Sequence, residues 1–251
     1  MKKAEFEALG NVERTHWFYR GKRELVRFWI KKSLRVVGQS DIILDAGAGT
    51  GELVRELRNL YGATGPKILG VEFSEEARSY AAEHNDLQLI AGSILEIPYV
   101  DGTATVSCAL DVLEHVEDDK KALSELIRVT KPGGLIIINV PAFMLLWSDW
   151  DVSLGHYRRY SMSSMKALLA EPLARHEIEI VDLKFINSFA FPLILGYRLF
   201  RKLIPSDSRA EDSIPPNPIN NLLYSFLVAP ARWKWFRLPF GVSIFGVFRR
   251  K

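Results

Sequence analysis

The clearest chemical pattern in the sequence is a set of alternating glycines that follows an acidic residue. The run Asp45-Ala46-Gly47-Ala48-Gly49-Thr50-Gly51 comes after the apolar residues 42–44 and before residues 53–60, which have the spacing of a helix. Glycine permits positive φ angles and a close approach of the backbone, and the amides at the start of a helix attract anionic groups. Strand, glycine turn and helix in this order predict a site for a nucleotide-like ligand.

The spacing of the glycines argues against a dinucleotide. The dinucleotide fingerprint is G-x-G-x-x-G, whereas here Gly51 lies two residues after Gly49, and Asp45 precedes the first glycine. A carboxylate beside the loop repels a pyrophosphate and suits a ligand with a positive charge, such as an α-amino group or a sulfonium. Glu72 ends the second predicted strand, 27 residues after Asp45, where its carboxylate can accept hydrogen bonds from both ribose hydroxyls.

These residues resemble the motifs of class I S-adenosylmethionine-dependent methyltransferases. Residues 45–51 are similar to the first motif of the family, Glu72 to its ribose-binding acid, and residues 111–116 to the segment that borders the methionine end of the donor. Ser93 stands where the family often has an acid that contacts adenine. The resemblance implies that S-adenosylmethionine, and its product S-adenosylhomocysteine, bind to Asp45, Gly47, Ala48, Gly49, Gly51, Glu72, Phe73, Ser93, Ile94 and Asp111.

The alternation of apolar segments with helical patterns predicts an α/β fold with a parallel sheet covered on both faces. The resemblance implies a doubly wound, mostly parallel, seven-stranded Rossmann-like sheet, with an antiparallel last strand and an insertion before that strand. The length of 251 residues fits one domain. We expect an N-terminal cap at 1–37 with a helix over 22–37, a donor-binding core at 38–186, an insertion or lid at 187–238 and the last strand at 239–251. Within the core, residues 87–91 are predicted as a short third strand. The predicted helix N-caps are Ser74, Asp118 or Asp119, and Ser161 or Ser163, and the helix that begins at the last of these is predicted to end at Ala170.

The side chains best suited to contact a methyl acceptor lie in two segments outside the donor motifs. These segments resemble a bacterial branch of the family with an N-terminal His-Trp-aromatic segment and a Gly-His-x-Arg-Arg-Tyr-Ser segment, whose members often accompany cell-surface glycan or lipid genes. His156 is the first candidate for a general base or an acceptor-binding group, followed by His16, and Asp111 is a further catalytic candidate. The predicted acceptor-binding residues are Trp17, Tyr19, Arg20, Trp147, Tyr157, Arg158, Arg159 and Tyr160.

Each acceptor candidate also has a purely structural interpretation. His156 can be a loop histidine bonded to the backbone, and the two arginines can form ion pairs with Asp149, Asp151 or the acidic N-terminal segment. His115 is interpreted as structural. The sequence spacing shows no His, Cys and carboxylate cluster typical of a metal site, so we expect no metal. The single cysteine, Cys108, lies in an apolar run and is interpreted as a core residue.

The C-terminal part of the chain combines positive charge with long apolar runs. Residues 196–251 hold 10 Lys or Arg and 3 Asp or Glu, whereas residues 1–195 hold 23 and 27. The segments 189–204 and 222–237 are too short and too charged to span a bilayer, and their composition is typical of an interfacial helix or a hydrophobic lid. The N-terminal charges are followed by no apolar run, and the chain can form no internal disulfide, so we expect a cytoplasmic protein. The basic and apolar composition of the two segments predicts peripheral contact with a membrane.

We therefore expect methyl transfer to a small-molecule acceptor that is lipidic, lipid-linked or a cell-surface glycan precursor. A nucleic-acid methyltransferase is disfavoured because the basic residues are interleaved with long aliphatic runs, and no recognition module is attached. A nicotinamide-dependent oxidoreductase is disfavoured by the glycine spacing. A non-catalytic interaction protein that kept the fold stays open. The sequence specifies neither the acceptor atom nor the oligomeric state.

Overall fold

A computed structural model describes residues 3–33, 38–203, 214–233 and 235–251. Within these ranges, seven strands form one sheet in the order β3-β2-β1-β4-β5-β7-β6. The strands are β1 Ile42–Ala46, β2 Lys67–Glu72, β3 Ile90–Ala91, β4 Ala104–Leu110, β5 Thr130–Pro141, β6 Ile178–Ile186 and β7 Ser243–Arg250. β1 to β5 pair in parallel, and β7 runs antiparallel between β5 and β6. The predicted fold class is confirmed.

Helices cover both faces of this sheet. They are α1 Lys3–Thr15, α2 Trp17–Ser33, α3 Glu52–Tyr61, α4 Glu75–Asn85, α5 Asp119–Val129, α6 Asp149–Ser153, α7 Met162–Ala174, α8 Phe191–Leu203 and α9 Asn217–Arg232. Short 3-10 helices at Leu113–His115 and Met144–Leu146 follow β4 and β5. Ser74, Asp118 and Ser161 accept backbone hydrogen bonds at the starts of α4, α5 and α7. Ser74 is the predicted N-cap, and Asp118 and Ser161 are each one of two predicted alternatives.

The core consists of two apolar layers because alternate side chains of a strand point to opposite faces. In β1, Leu44 packs in the layer that holds Leu126 of α5. Its neighbour Ile43 packs in the layer that holds Trp29 of α2 and Leu227 of α9. The insertion therefore contributes a core helix. Among the described residues, no helix is long and apolar enough to cross a membrane.

Several predicted boundaries differ from the structure. The helix predicted over 22–37 begins at Trp17, and residues 34–37 lie outside the described ranges, as do 204–213 and residue 234 of the insertion. The predicted strand 87–91 reduces to Ile90–Ala91. This strand pairs only with the end of β2, while Leu87 and Leu89 are buried in the core. The helix after Ser161 continues to Ala174 instead of Ala170.

Candidate active site

The glycine loop connects β1 to α3 and has the backbone conformation that only glycine adopts readily. The φ angles of Gly47, Gly49 and Gly51 are +87°, +53° and +80°. The amides of Gly47 and Ala48 donate to the carbonyl of Val71, at 2.8 and 2.9 Å. A Cβ atom at Gly47 would lie 2.6 Å from Val112, whereas a Cβ at Gly49 would meet no atom within 4 Å. The loop is thus packed at its first glycine and open at its second.

Three carboxyl groups converge on this loop. Glu72 accepts hydrogen bonds from the amides of Gly49 and Ser74, both at 2.8 Å. Burial, and then the nearby Glu72 and Glu13, raise the pKa of Asp45 well above its usual range. Burial also raises the pKa of Glu13, although its hydrogen bond to the Thr50 hydroxyl opposes the shift. A ligand with a positive charge relieves this repulsion, so the residues present fit S-adenosylmethionine, which carries a sulfonium and an ammonium group.

The first two helices cover the methionine side of the predicted donor site. The Lys22 ammonium pairs with the Asp111 carboxylate, and the Asn139 amide donates to the same carboxylate at 2.6 Å. Asp111 adopts a φ of +55°, a conformation that costs energy in a non-glycine residue and is common at functional sites. His16 lies at the junction of α1 and α2, and its Nδ1 accepts from the Phe18 amide at 3.3 Å. Burial and the nearby Lys22 lower the pKa of His16 to about 4, so its ring is neutral at pH 7.

The residues predicted to contact adenine differ in their exposure to solvent. Phe73 is 79% exposed directly after Glu72, so its ring is free to cover a ligand. Ser93 is half-buried, and its hydroxyl accepts from the Leu95 amide at 3.1 Å. Ile94 is 5% exposed and packs in the core, so little of its side chain is open to solvent, and its contact with the adenine ring stays a prediction.

On the acceptor side, the loop after β5 is organised around one buried carboxylate, Asp151. Its Oδ1 accepts from His156 Nδ1 at 2.8 Å and from the Nε of Arg159 at 2.6 Å. Its Oδ2 accepts from the Ser148 amide at 2.9 Å and lies 3.5 Å from Arg198 of α8. Burial alone would raise the pKa of Asp151, but the hydrogen bonds from His156, Arg159 and Ser148 outweigh burial and hold it well below its usual value.

The other acceptor candidates are not brought to one surface. Arg159 is buried in its ion pair with Asp151, and the hydroxyl of the buried Tyr160 donates to Asp119 at 2.9 Å. Arg158 also pairs with Asp119, at 2.9 Å. Arg159 therefore forms one of the expected ion pairs, with Asp151, whereas Arg158 pairs with Asp119, which was not among the expected partners. The contact of Arg158, Arg159 and Tyr160 with an acceptor stays a prediction. Tyr157 is 57% exposed and Trp147 is half-buried.

The aromatic N-terminal segment is held mainly by the insertion. The Asn220 side chain of α9 accepts from the Trp17 amide and donates to the Thr15 carbonyl, each at 2.8 Å. Arg20 donates to Asn221 and lies over the Tyr224 ring, so it faces α9 and not the glycine loop. Tyr19 lies near the His16 ring and the Lys22 ammonium, beside the donor site.

Two histidines and a glutamate meet between the donor and acceptor sides. One ligand atom each of Glu114, His115 and His156 lies within 4.8 Å of the other two. The ring centroids of His115 and His156 are 4.5 Å apart, with an interplanar angle of 84°. Desolvation of the ring and the nearby His156 lower the pKa of His115 to about 4. Burial, and then the nearby Asp111, raise the pKa of Glu114 well above its usual range.

Comparison with known proteins decides the family. Residues 44–138 match the sequence model of the methyltransferase domain family, and this range contains the glycine loop, Glu72, Asp111, Glu114 and His115. Residues 44–138 carry a class I S-adenosylmethionine-dependent methyltransferase domain. The family's donor, S-adenosylmethionine, is the cofactor that the acidic glycine loop fits.

Relatives of this methyltransferase domain support the same conclusion. A probable S-adenosylmethionine-dependent methyltransferase of Mycolicibacterium smegmatis is 26% identical over 69% of this chain and 63% of its own length. A ubiquinone/menaquinone biosynthesis C-methyltransferase of Bdellovibrio bacteriovorus is 31% identical over 50% of this chain and 58% of its own. The chain therefore spans about three fifths of the length of these curated relatives. The crystal structure of a putative sarcosine dimethylglycine methyltransferase from Galdieria sulphuraria shares the fold, with a TM-score of 0.59 and 17% identity over 90% of this chain and 84% of that one.

Four residues of the methyltransferase site were missed by sequence reasoning. Glu13 and Lys22 reach the donor site from the first two helices, and Glu114 and Asp151 build the acceptor side. The signal for Glu114 was present, because it lies in the segment 111–116 that resembles a family motif. Nothing in the sequence pattern distinguishes Lys22 from the other basic residues of α2.

Proposed function

We propose that the protein transfers the methyl group of S-adenosylmethionine to a small-molecule acceptor that is lipidic, lipid-linked or a cell-surface glycan precursor. The observation that supports the transfer is the convergence of Asp45, Glu72 and Glu13 on an open glycine loop. S-adenosylmethionine supplies a methyl group on a positively charged sulfur, which leaves as a neutral thioether once the acceptor atom has bonded to the methyl carbon. The protein has to hold acceptor and donor in line, which is chiefly a positioning effect.

We assign the donor contacts as follows. The loop 47–51 receives the donor through its backbone, Glu72 binds the ribose hydroxyls, and Asp45 and Asp111 bind the cationic methionine end. Phe73 and Ser93 lie at the adenine side. Each carboxylate oxygen of Glu72 accepts one backbone amide and keeps a further lone pair, so it can bind ribose without losing the bonds that orient it.

We assign the acceptor side to the segment around His156. Asp151 accepts the Nδ1–H of His156 and thereby leaves Nε2 as the atom available to an acceptor. The exposed Tyr157 ring and the half-buried Trp147 lie in the same segment and supply apolar surface. His16, with its neutral ring beside Lys22, is assigned a secondary role at the donor end.

The apolar surface of the insertion supports a lipidic acceptor and peripheral contact with a membrane. Leu193, Tyr197 and Phe200 fall at i, i+4 and i+7 of α8 and are 74%, 37% and 58% exposed, so one stripe of the helix faces away from the protein. Trp235 is 76% exposed. The relative from Bdellovibrio bacteriovorus is named for quinone biosynthesis, which accords with an apolar acceptor.

The structure also changes the electrostatic part of this membrane hypothesis. Arg198, Arg232 and Arg237 of the insertion pair with Asp151, Glu24 and Asp182. These three cations are therefore compensated within the protein. The membrane hypothesis depends instead on the exposed apolar side chains of the insertion.

Calorimetry with S-adenosylhomocysteine tests the donor site. We expect tight binding to the wild type and a strong loss in Glu72→Gln, because the variant keeps the size of the side chain but removes the charge that binds both ribose hydroxyls. The matched control is Glu75→Gln, an exposed carboxylate three residues away at the start of α4. Equal affinity in all three proteins would refute the assigned donor site.

A methyl-acceptor screen with labelled donor tests the transfer. Lipid-linked and aminosugar pools are offered first, and nucleic acid serves as the contrasting substrate. Label in the nucleic-acid pool would instead support the disfavoured alternative. Donor binding with transfer to no pool, under conditions where a known methyltransferase is active, would support the non-catalytic alternative.

Co-sedimentation with anionic liposomes tests membrane contact. We expect the double variant Leu193→Ser and Phe200→Ser to bind less than the wild type, and the control Val100→Ser, which alters a 77% exposed apolar residue before β4, to bind equally well. If the double variant sediments like the wild type, the exposed stripe of α8 is not the contact surface.

A further inference from the structure

The cluster of Glu114, His115 and His156 is built from two separate parts of the chain. The first two residues lie on the 3-10 helix Leu113–His115 after β4, and His156 lies between α6 and α7. The Tyr157 amide donates to the Glu114 carbonyl at 2.7 Å, which fastens the two segments together next to the cluster. One ligand atom from each side chain lies within 4.8 Å of the other two.

The carboxylate of Glu114 is the most informative member of the cluster. Its residue is 0% exposed, and within the described part of the chain no other residue donates a hydrogen bond to either carboxylate oxygen. Lys22 and Arg159 lie near enough to favour its charge, but neither donates a hydrogen bond to it. A buried carboxylate without a partner is strongly unfavourable unless a cation or a proton compensates it. The carboxylate thus points to a ligand.

Both imidazoles are oriented as metal-ligating histidines are. His156 Nδ1 donates to the buried Asp151 carboxylate at 2.8 Å, which directs Nε2 to the cluster. One ring nitrogen of His115 donates to the Leu154 carbonyl, which leaves the other for a ligand. Metal-ligating histidines almost always donate their second N–H to a carboxylate or a backbone carbonyl, because that bond fixes the tautomer and the ring orientation.

We propose that Glu114, His115 and His156 form a binding site for a divalent transition-metal ion such as Zn²⁺. Two nitrogens and one carboxylate oxygen suit zinc, and with three protein ligands one coordination position stays open. In tetrahedral coordination, ligand atoms at about 2.1 Å from one ion lie roughly 3.4 Å apart, so atoms at the 4.8 Å limit have to approach one another by about 1.4 Å. His115 is exposed and gives an ion a path from solvent.

The location gives the ion a role, and this step rests on the proposed function. Asp111, which we assign to the methionine end of the donor, lies three residues before Glu114 and four before His115 in the segment that follows β4. The open coordination position therefore lies near the donor side of the acceptor segment, and with the ion bound it is the ion, held by His156 Nε2, that contacts the acceptor. A divalent ion lowers the pKa of a hydroxyl group that it binds. The site thus favours acceptors that present a hydroxyl oxygen.

Metal binding is testable without methyl transfer. Tag-free, full-length protein is stripped with a chelator and titrated with ZnCl₂ by calorimetry, and with CoCl₂ by visible absorption. We expect one ion per chain and the absorption of a four- or five-coordinate Co²⁺ site. His115→Asn and His156→Asn should each weaken Zn²⁺ binding by at least about 100-fold, more than the 10- to 100-fold typical for loss of an outer hydrogen-bond partner. Glu114→Gln should do the same.

His84→Asn is the matched control, because His84 stacks on Tyr80 on α4, away from the cluster. Binding of S-adenosylhomocysteine, measured in the same samples, checks that each variant is folded. If Glu114→Gln does not fold, the two histidine variants decide. The proposal is overturned if the stripped wild type binds no ion, or if both histidine variants bind Zn²⁺ as tightly as the wild type.

The same measurements separate this site from the proposed function. Methyl transfer that proceeds without any bound ion would overturn the metal role and leave the methyltransferase function standing. One ion per chain in a protein that does not bind S-adenosylhomocysteine would overturn the function and leave the metal site standing.

Discussion

Replacing Asp151 with asparagine should destabilise the protein, because this carboxylate compensates two buried guanidinium groups. Asp151 is 0% exposed, and the side chains of Arg159 and Arg198 are 5% and 7% exposed. Asparagine keeps the size of the side chain and one acceptor oxygen but removes the charge. Both arginines then lose the countercharge that Asp151 supplies, and the Nδ1–H of His156 loses its charged acceptor.

The size of the effect follows from this geometry. Removing one partner of a buried ion pair costs about 3–5 kcal/mol, since the remaining charge stays desolvated. The asparagine oxygen can keep one of the hydrogen bonds, so we expect the lower end, about 3 kcal/mol. In a chain of 251 residues each kcal/mol shifts the melting temperature by about 2–4 °C. Asp151→Asn should therefore lower it by roughly 6–12 °C.

Thermal and urea unfolding followed by circular dichroism measure this loss. The control is Asp149→Asn, an exposed carboxylate at the start of the same helix, which should cost under about 0.5 kcal/mol. Adding Arg159→Met to Asp151→Asn should recover part of the stability, because one unpaired charge is then gone. A loss below about 1 kcal/mol for Asp151→Asn, or an equal loss for Asp149→Asn, would show that the buried network is not stabilised as described.

The pH dependence of the same pair of proteins gives a second check. Because the folded-state pKa of Asp151 lies below the ordinary value of 3.8, its ion pairs stabilise the fold above that value. Their contribution is lost as the pH falls from that value towards the folded-state pKa. The difference in stability between wild type and Asp151→Asn should therefore be constant near neutral pH and narrow below about pH 4.

Three further substitutions test the donor site and its cover. Asp45→Asn should raise the unfolding free energy of the donor-free protein near pH 7, because burial and nearby acids raise the pKa of Asp45 and so disfavour its charge. This gain in stability should shrink as the pH falls towards 4 and the carboxyl group of the wild type protonates. The same substitution should weaken S-adenosylhomocysteine binding. Gly47→Ala should destabilise the protein by more than about 1 kcal/mol and abolish donor binding, since its φ is +87° and a Cβ lies 2.6 Å from Val112. Asn220→Ala should cost about 2–3 kcal/mol, because two backbone groups at the α1–α2 junction lose their partner.

Each of these has a measurement that would contradict it. For Asp45→Asn, calorimetric melts at pH 5 and pH 8 should differ in the stated direction, and an unchanged or lower melting temperature at pH 8 would contradict the repulsion. Gly62→Ala is the control for Gly47→Ala, because it shares a positive φ of +64° but has no atom within 4 Å of a Cβ. If both alanines cost the same, the contact with Val112 is unimportant. For Asn220→Ala, urea unfolding within about 0.5 kcal/mol of wild type would be inconsistent with the two hydrogen bonds.

The central part of the fold was predictable because its signals are local. β1 and the glycine loop are contiguous, and the caps Ser74, Asp118 and Ser161 act within their own first turns. β3 was overestimated because Leu87 and Leu89 are as apolar as strand residues but are buried without pairing. The hydrophobic pattern of a segment indicates which of its residues are buried. Whether the segment pairs as a strand depends on a neighbouring strand elsewhere in the chain, which the pattern of the segment does not contain.

The insertion shows a second limit of local patterns. Its apolar residues suggested a lid or a membrane surface, and Leu227 and Val228 are instead buried against α2. An apolar stripe identifies a face that must be covered, but it does not identify the partner that covers it. The helix α8 has a similar apolar and basic composition, but its Leu193 and Phe200 are exposed, and the described residues do not cover them.

The acceptor side was the least predictable because its chemistry depends on which charges become buried together. Arg159 looked like a substrate clamp until folding placed its guanidinium, together with the His156 ring, against the buried Asp151 carboxylate. Asp151 can compensate only the cations that it touches, and its contacts are all with Ser148, His156, Arg159 and Arg198. Glu114, on the facing segment, receives no hydrogen bond from any other described residue. Asp151 is therefore compensated by its neighbours, whereas Glu114 is the carboxylate that we propose as a metal ligand. Separate sequence motifs cannot predict this difference, because it depends on which residues the fold buries together.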